Sequence, residues 1–194
     1  MAEKIFTNFG RKYNSLGKFF LIDTCLLAES TKTGREEIRD IILEIAENSN
    51  EGILINDFIE IEFLRGSKMP EHAEKKSKVL NAFGSETIPF TKELSNSAVT
   101  IANIYANKNI NPKQISLTDC LISSYLQKYS KSGLVLVTLD NNDYPTVLHD
   151  RIGVLTIDYP EPDRILNIGF YKFNENKFAS CITDFDGVSA SEDL

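Results

Sequence analysis

Two hydrophobic patterns alternate along the chain: short uninterrupted apolar runs, and longer stretches in which apolar residues recur every three or four positions. The first pattern predicts buried strands, and the second predicts helices with one apolar face. The predicted strands are 18–23, 53–55, 87–90, 134–138 and 153–157. The predicted helices are 33–48, 56–64, 71–83, 92–106 and one that opens at 116, with a further short helix near Pro145.

Capping residues mark several of the predicted helix starts. Thr33-Gly-Arg-Glu36 and Ser116-Leu-Thr-Asp119 follow the capping-box pattern, in which a hydroxyl and an acid three residues later satisfy each other's backbone N–H groups. Asn56 or Asp57 can cap the helix that stops at Gly66. These signals support the helix boundaries that the hydrophobic spacing predicts.

Strands that are apolar on both faces and alternate with helices are typical of parallel sheets covered by helices. The sequence therefore predicts an α/β fold, a three-layer α/β/α sandwich with a central parallel sheet. Apolar runs at 165–173 and 177–182 flank Asn174-Glu-Asn176 and predict a C-terminal β-hairpin. The predicted organisation is a polar lead-in at 1–17, a main domain at 18–160, the hairpin extension at 161–182 and a disordered acidic tail at 183–194.

Composition and charge restrict the classes of protein. With 194 residues and 42% hydrophobic content, the chain is long enough for one domain with a sizeable core. Three widely spaced cysteines (Cys25, Cys120, Cys181) without a CxxC motif argue against a disulfide framework or a zinc site, and favour a reducing, cytoplasmic location. The apolar run at 19–22 is too short to cross a bilayer, so no membrane association is expected. The net charge of −7 disfavours phosphate binding in general, but four of the acids lie in the last twelve residues, so RNA is not excluded.

Acidic residues follow three of the predicted strands or the elements after them, and one more lies at a predicted helix start. Asp23 ends the first strand, Glu62 lies beyond the second, Asp119 lies in the first turn of a helix, and Asp140 and Asp143 follow the strand at 134–138. Because sites in open parallel sheets form at the carboxyl ends of the strands, we expect these carboxylates to meet at one edge. Hard cations such as Mg²⁺ or Mn²⁺ would relieve their mutual repulsion.

Each acid also has a purely structural interpretation. Asp23 can cap a turn, and Asp119 can reciprocate the Ser116 cap. Asp140 and Asp143 can be turn residues in an Asn/Asp-rich loop, with Asp143 acting through water or holding the loop rather than binding a metal. Residues 59–63 alternate like a strand with Glu60 and Glu62 facing water, whereas on a helix these two glutamates point apart.

At this point the sequence resembles the PIN-domain family. The segments Phe20-Leu-Ile-Asp23-Thr24, Glu62-Phe-Leu-Arg-Gly66, Leu117-Thr-Asp119-Cys-Leu-Ile122 and Val137-Thr138-Leu-Asp140-Asn-Asn-Asp143-Tyr144 are similar to its four acidic motifs, in the same order. The last segment has Asp where the family has Asn, and Tyr144 where it has Phe. The closest likeness is to VapC-type toxin ribonucleases, although this chain is longer than those compact toxins. The resemblance implies a parallel sheet of four or five strands, metal-dependent endoribonuclease activity, a possible antitoxin partner and frequent dimerisation.

The leading hypothesis is a Mg²⁺- or Mn²⁺-dependent ribonuclease whose metal ligands are Asp23, Glu62, Asp119 and Asp140. With only two histidines in the chain, metal-independent chemistry with a His pair has little support. One alternative is a PIN-like scaffold that binds RNA or protein without cutting. Another is a haloacid-dehalogenase-type phosphatase, which usually needs a second acid two residues after the first, where this chain has Cys25.

Basic residues cluster just after the Glu62 segment, and their role is open. They can grip phosphates, but interspersed glutamates at 71 and 74 favour a solvated helix face. The basic residues are Arg65, Lys68, Lys75, Lys76 and Lys78.

Overall fold

A computed structural model describes residues 3–7, 13–49, 52–65, 67, 69–83, 86–110, 115–159 and 165–189. The strands are β1 Glu3–Thr7, β2 Phe19–Ile22, β3 Ile53–Asn56, β4 Glu86–Ile88, β5 Leu134–Thr138, β6 His149–Asp158 and β7 Ile165–Phe173. The helices are α1 Thr24–Ser30, α2 Glu36–Asn48, α3 Asp57–Leu64, α4 Pro70–Ala82, α5 Lys92–Asn107, α6 Leu117–Lys128 and α7 Glu175–Ser189. Short 3-10 turns lie at Tyr13–Ser15 and Ser130–Ser132. This content confirms an α/β fold and is compatible with a three-layer sandwich.

The strands form one mixed sheet in the order β1-β6-β7-β5-β2-β3-β4. The four strands β4, β3, β2 and β5 are parallel, as the sequence predicts. In contrast, β7 is antiparallel to β5, β6 to β7, and β1 to β6, so the prediction of a wholly parallel sheet is wrong on this side. The short connection between β6 and β7 accounts for the antiparallel pairing of these two strands, because a parallel return needs a crossover of about a dozen residues or more.

The hydrophobic core lies on both faces of the parallel strands. Side chains of β2 from Phe20 to Ile22 are fully buried, and every residue of β5 is buried. Helix α2 covers the sheet with an apolar face formed by Ile38, Ile41, Ile42 and Ile45. Strands that are buried on both faces explain why the sequence shows uninterrupted apolar runs there.

Two predicted caps are confirmed and one is wrong. The Asn56 side chain accepts a hydrogen bond from the Ile59 backbone N–H at 2.9 Å, and the Ser116–Asp119 capping box is complete. Thr33 does not cap α2, which begins three residues later with Arg35 at a cap position that has no side-chain hydrogen bond. Helix α1, which starts directly after Asp23, was not predicted from the sequence.

The two ends of the chain differ from the sequence prediction. Residues 3–7, placed in the lead-in, form edge strand β1, and the boundary drawn at 160 falls between the paired strands β6 and β7. The second arm of the predicted C-terminal hairpin is wrong, because 177–182 belong to α7 and β7 pairs instead with β6 and β5.

Three short segments also differ from the sequence prediction. Asn174 accepts a hydrogen bond from the Lys177 backbone N–H at 3.1 Å, so it acts in a helix start rather than in a hairpin turn. Residues 183–189, predicted as disordered tail, continue α7, and 190–194 lie outside the described residues. In place of the short helix predicted near Pro145, the chain makes one turn, with Leu148 and His149 N–H groups on the Pro145 carbonyl.

All three cysteines are free thiols, with Cys120 and Cys181 buried and Cys25 half-buried. Within the described ranges, none of the helices is long and apolar enough to cross a membrane.

His149 occupies a fully buried aromatic environment at the start of β6. Its ring contacts Tyr144 and Phe173 edge to face, and its Nδ1 lies 3.3 Å from the Pro145 carbonyl and 3.5 Å from the Tyr105 hydroxyl. Burial lowers the pKa of His149 to about 4, against smaller raising effects of the Pro145 hydrogen bond and the Asp150 charge; the nearby Lys177 charge lowers it further. The folded protein therefore carries this histidine in its neutral form at neutral pH.

This burial predicts a loss of stability in mild acid. The unfolded chain binds the proton near pH 6.5 and the folded protein only near pH 4, so the unfolding free energy falls as the pH is lowered between these values, by about 3 kcal/mol from this group. In His149→Phe, this part of the pH dependence should disappear, whereas His72→Gln on the exposed face of α4 should retain it. Urea unfolding from pH 7.5 to 4.5 measures the difference. An unchanged pH profile in His149→Phe would contradict the assignment.

Candidate active site

The structure brings all five predicted acids into one cavity. Asp23, Glu62, Asp119, Asp140 and Asp143 line a pocket of about 610 Å³. Asp23 directly follows β2, and Asp140 follows β5, the parallel neighbour of β2. The parallel pairing therefore places these two acids at the same edge of the sheet, and α3 and α6 supply Glu62 and Asp119.

Asp23 combines a capping role with a place in the pocket. One carboxylate oxygen accepts a hydrogen bond from the Thr24 backbone N–H at 2.7 Å, which caps α1. The other accepts a hydrogen bond from the Thr138 hydroxyl at 2.6 Å. The same hydroxyl oxygen accepts from the Asp140 N–H at 2.9 Å, so Thr138 fixes the spacing between Asp23 and Asp140. The capping interpretation of Asp23 is thus correct and compatible with a site.

Glu62 lies on a helix, so the alternating-strand interpretation of 59–63 is wrong. Its carboxylate accepts hydrogen bonds from the Thr24 hydroxyl at 2.9 Å and from the Arg65 guanidinium at 3.1 Å. Glu60 points elsewhere and accepts a hydrogen bond from the Thr87 hydroxyl of β4 at 3.0 Å. Helical geometry separates the two glutamates and leaves Glu62 in the pocket.

Asp119 is held by the capping box at the start of α6. Its Oδ2 accepts a hydrogen bond from the Ser116 N–H at 2.6 Å, and its own N–H donates to Ser116 Oγ at 3.2 Å. The side chain is buried, with 9% of the residue exposed. The helix N-terminus stabilises its negative charge while the box fixes its orientation.

The loop that carries Asp140 and Asp143 is anchored to β7 by residues that the sequence interpretation missed. The Asn141 side-chain amide donates hydrogen bonds to the carbonyls of Leu139 at 3.1 Å and Asn167 at 2.8 Å. The Tyr171 hydroxyl lies 3.1 Å from the Asn141 carbonyl and 2.9 Å from its side-chain oxygen. No short-range sequence signal links positions so far apart.

Like charges dominate the electrostatics of the pocket. Burial raises the pKa of Asp23 and of Asp119, and neighbouring carboxylates raise both further. The pKa of Asp143 is raised to about 7, first by burial and then by the charges of Asp119 and Asp140. Among the described residues that line the pocket there is no Lys, Arg or His. Clustered carboxylates are therefore the main feature of this cavity, and within the described part of the chain only Glu62 among them has a cationic partner, Arg65.

Cys25 lies in the same pocket as a neutral group. Its thiol is 3.4 Å from Asp23 Oδ2 and accepts from the Leu139 N–H at 3.3 Å. Burial, followed by the charge of Asp23, raises the pKa of the Cys25 thiol to about 12, so it remains protonated at neutral pH. This thiol is not poised as a nucleophile.

The donor set has the chemistry of a hard-cation site, since every charged group in it is a carboxylate. Within the described part of the chain, however, no three His, Cys, Asp or Glu side chains converge closely enough to hold an ion as they stand. Asp23, Glu62 and Asp119 are instead turned toward hydrogen-bond donors on Thr138, Thr24 and Ser116. Shared coordination of one ion therefore requires the carboxylates to lie closer together than they do here.

No protein-family model matches this sequence, and no curated protein matches it at a significant level. The resemblance carried by the four acidic segments is therefore untested by these comparisons.

The anchor between Asn141 and β7 yields a direct prediction at Gly169, which pairs with Thr138. A Cβ at this position would lie 2.2 Å from Asn141 Oδ1 and 2.5 Å from the Tyr171 ring. Gly169→Ala should therefore lower the unfolding free energy by about 1–3 kcal/mol, because two hydrogen-bonded groups must move. The loss should be smaller in an Asn141→Ala background, as a double-mutant cycle by urea unfolding can measure. Equal losses in both backgrounds would show that the cost of Gly169→Ala does not come from displacing the Asn141 side chain.

Proposed function

We propose that the protein is a metal-dependent endoribonuclease that hydrolyses RNA phosphodiester bonds at the five-acid pocket. The observation that carries the proposal is the presence of five carboxylates in one cavity, without a cationic side chain among its described lining residues. Such an arrangement costs folding free energy unless a bound cation offsets it. The order and spacing of the acidic segments, which resemble those of PIN domains, support nuclease chemistry in particular.

Asp23, Glu62, Asp119 and Asp140 would hold one or two Mg²⁺ or Mn²⁺ ions, and Asp143 would hold the loop or act through water. When bound, the metal activates a water molecule and stabilises negative charge on the leaving oxygen. Thr24, Ser116 and Thr138 orient the carboxylates, as groups around metal ligands commonly do. The chain itself supplies position and charge, and no protein nucleophile is needed.

A second candidate is a PIN-like module that binds RNA or protein without cutting it. The observation that favours it is the lack of three converging ligand groups among the described residues. It differs from the first candidate in one measurable respect, since the wild-type protein would show no hydrolysis with either metal.

A large loss of activity with little or no loss of stability is the expected result of removing one charge from the pocket. Asp23→Asn and Asp119→Asn should reduce metal-dependent cleavage of single-stranded RNA by more than about 100-fold. The stability of the metal-free protein should stay equal or rise for Asp23→Asn, because the substitution removes a charge that is buried and is repelled by Asp119. For Asp119→Asn a cost of about 1 kcal/mol or less is expected from the weakened cap. Cleavage of a fluorescent RNA, and urea unfolding in a chelator, provide the two measurements.

Asp40→Asn is the matched control, because Asp40 is an exposed acid on α2 that does not line the pocket. It should leave cleavage unchanged. Full cleavage by Asp23→Asn, purified free of contaminating ribonuclease, would refute the nuclease assignment. An inactive wild type, tested with Mg²⁺ and Mn²⁺ on several RNAs, would favour the non-cutting module instead.

A further inference from the structure

A group of three cations lies beside the acidic pocket, and we call it the basic strip: Arg65, Lys75 and Lys76. Arg65 follows the last residue of α3, and the two lysines are in α4. Of the other basic residues noted in the sequence, Lys68 lies outside the described residues, and Lys78 pairs with Glu74 at 2.7 Å. Within the strip, Arg65 pairs with Glu62 of α3, whereas neither lysine forms an ion pair with a described carboxylate.

Arg65 connects the strip to the pocket. Its guanidinium is 3.1 Å from Glu62, and 71% of its side chain is exposed. The Glu62 carboxylate also accepts from Thr24 in the first turn of α1. Arg65 therefore stands at the rim of the cavity, where it can contact a group that extends out of the pocket.

The two lysines place α4 against the ends of two helices that carry site residues. The Lys76 ammonium binds the carbonyls of Phe63 and Arg65 at the end of α3, and lies 5.2 Å from the Phe63 ring centre. The Lys75 ammonium lies 3.3 Å from the Thr31 carbonyl at the end of α1. Since α1 has seven residues, Lys75 and the Glu62–Thr24 contact are separated by about 10 Å along its axis.

The charges on this surface are complementary to a polyanion. The hydrogen bonds of Lys75 and Lys76 go to backbone carbonyls, and neither ammonium forms an ion pair with a carboxylate among the described residues. The nearby acid Glu29 is already paired with Arg35 at 3.0 Å and with Lys32. A positive strip next to a metal-binding pocket suits a chain of phosphates, of which one enters the pocket and its neighbours lie outside.

We propose that the basic strip binds the phosphates of single-stranded RNA adjacent to the scissile phosphate, so that the RNA backbone leaves the pocket past Arg65 and along the end of α1. This inference rests on the proposed function and adds the path of its substrate. Arg65 exchanges its contact with Glu62 for a phosphate, and Lys75 contacts the next part of the strand. The strip recognises the backbone and carries no base specificity.

RNA affinity measured at several salt concentrations tests the proposal. A fluorescent single-stranded 12-nucleotide RNA is titrated with the Asp119→Asn protein in Mg²⁺, alone and combined with Lys75→Gln or Arg65→Gln. Each second substitution should weaken binding about 3- to 10-fold and reduce the slope of log affinity against log salt by about 0.7. Lys131→Gln is the matched control, because this exposed lysine precedes β5, at the opposite end of the strand from Asp140.

Three further measurements separate phosphate binding from a structural role. Affinity for a dinucleotide, which cannot reach Lys75, should be unchanged in Lys75→Gln, and Arg65→Lys should recover most of the loss seen in Arg65→Gln. Urea unfolding should show Lys75→Gln to be as stable as its parent.

The outcomes distinguish this inference from the proposed function. If the wild type cleaves RNA but Lys75→Gln and Arg65→Gln keep full RNA affinity and the full salt slope, the proposed RNA-binding role of the basic strip is wrong and the proposed nuclease activity is supported. If the wild type does not cleave RNA but binds it through the basic strip, the proposed nuclease activity is wrong and the proposed RNA-binding role of the strip is supported. If the protein does not bind RNA, the proposed RNA-binding role of the basic strip is wrong.

Discussion

The pairing of β2 between β3 and β5 is the constraint on which the rest of the site depends. Ile22 is in register with Val137, and the Asp23 N–H donates to the Val137 carbonyl at 3.0 Å. This fixes Asp23 next to Thr138 and thus next to the loop of Asp140. Both strands are buried on both faces, so a shift of one residue would exchange the side chains packed on the two faces of the sheet.

The fold brings carboxylates together against their mutual repulsion, and local hydrogen bonds reduce the cost. Hydroxyl groups of Thr24 and Thr138 and backbone N–H groups at two helix starts donate to the acids. Burial nevertheless raises the pKa of Asp23 and Asp119, so these donors do not offset the whole cost. Functional sites commonly contain charged groups that the protein stabilises only in part.

The sequence was informative where local chemistry decides the structure. Apolar runs identified the parallel strands, and the Ser116 and Asn56 caps located two helices, because each signal lies within a few residues. The second arm of the C-terminal hairpin was wrong because Asn serves both turns and helix starts, and here Asn174 starts α7.

In the candidate site, too, the sequence predicted only the features that depend on nearby residues. Asp23, Asp140 and Asp143 could be found from their positions after strands, Asp119 from its capping pattern, and Glu62 from the helix that follows β3. Asn141, Gly169 and Tyr171 could not, because their contacts join the loop to a strand almost thirty residues away and leave no periodic pattern in the sequence. The position of antiparallel β7 between β5 and β6 could not be predicted either, because it also depends on contacts between residues far apart in the sequence.

The anchor of the Asp140 loop on β7 also sets an order of events during protein synthesis. Ribosomes extend the chain from its N-terminus, at about 5–20 residues per second. Asp23, Glu62 and Asp119 leave the ribosome well before Asn167 and Tyr171, whose contacts hold Asn141. A nascent chain can therefore assemble its parallel strands early, while the pocket acquires its full geometry only when β7 has emerged and paired with β5.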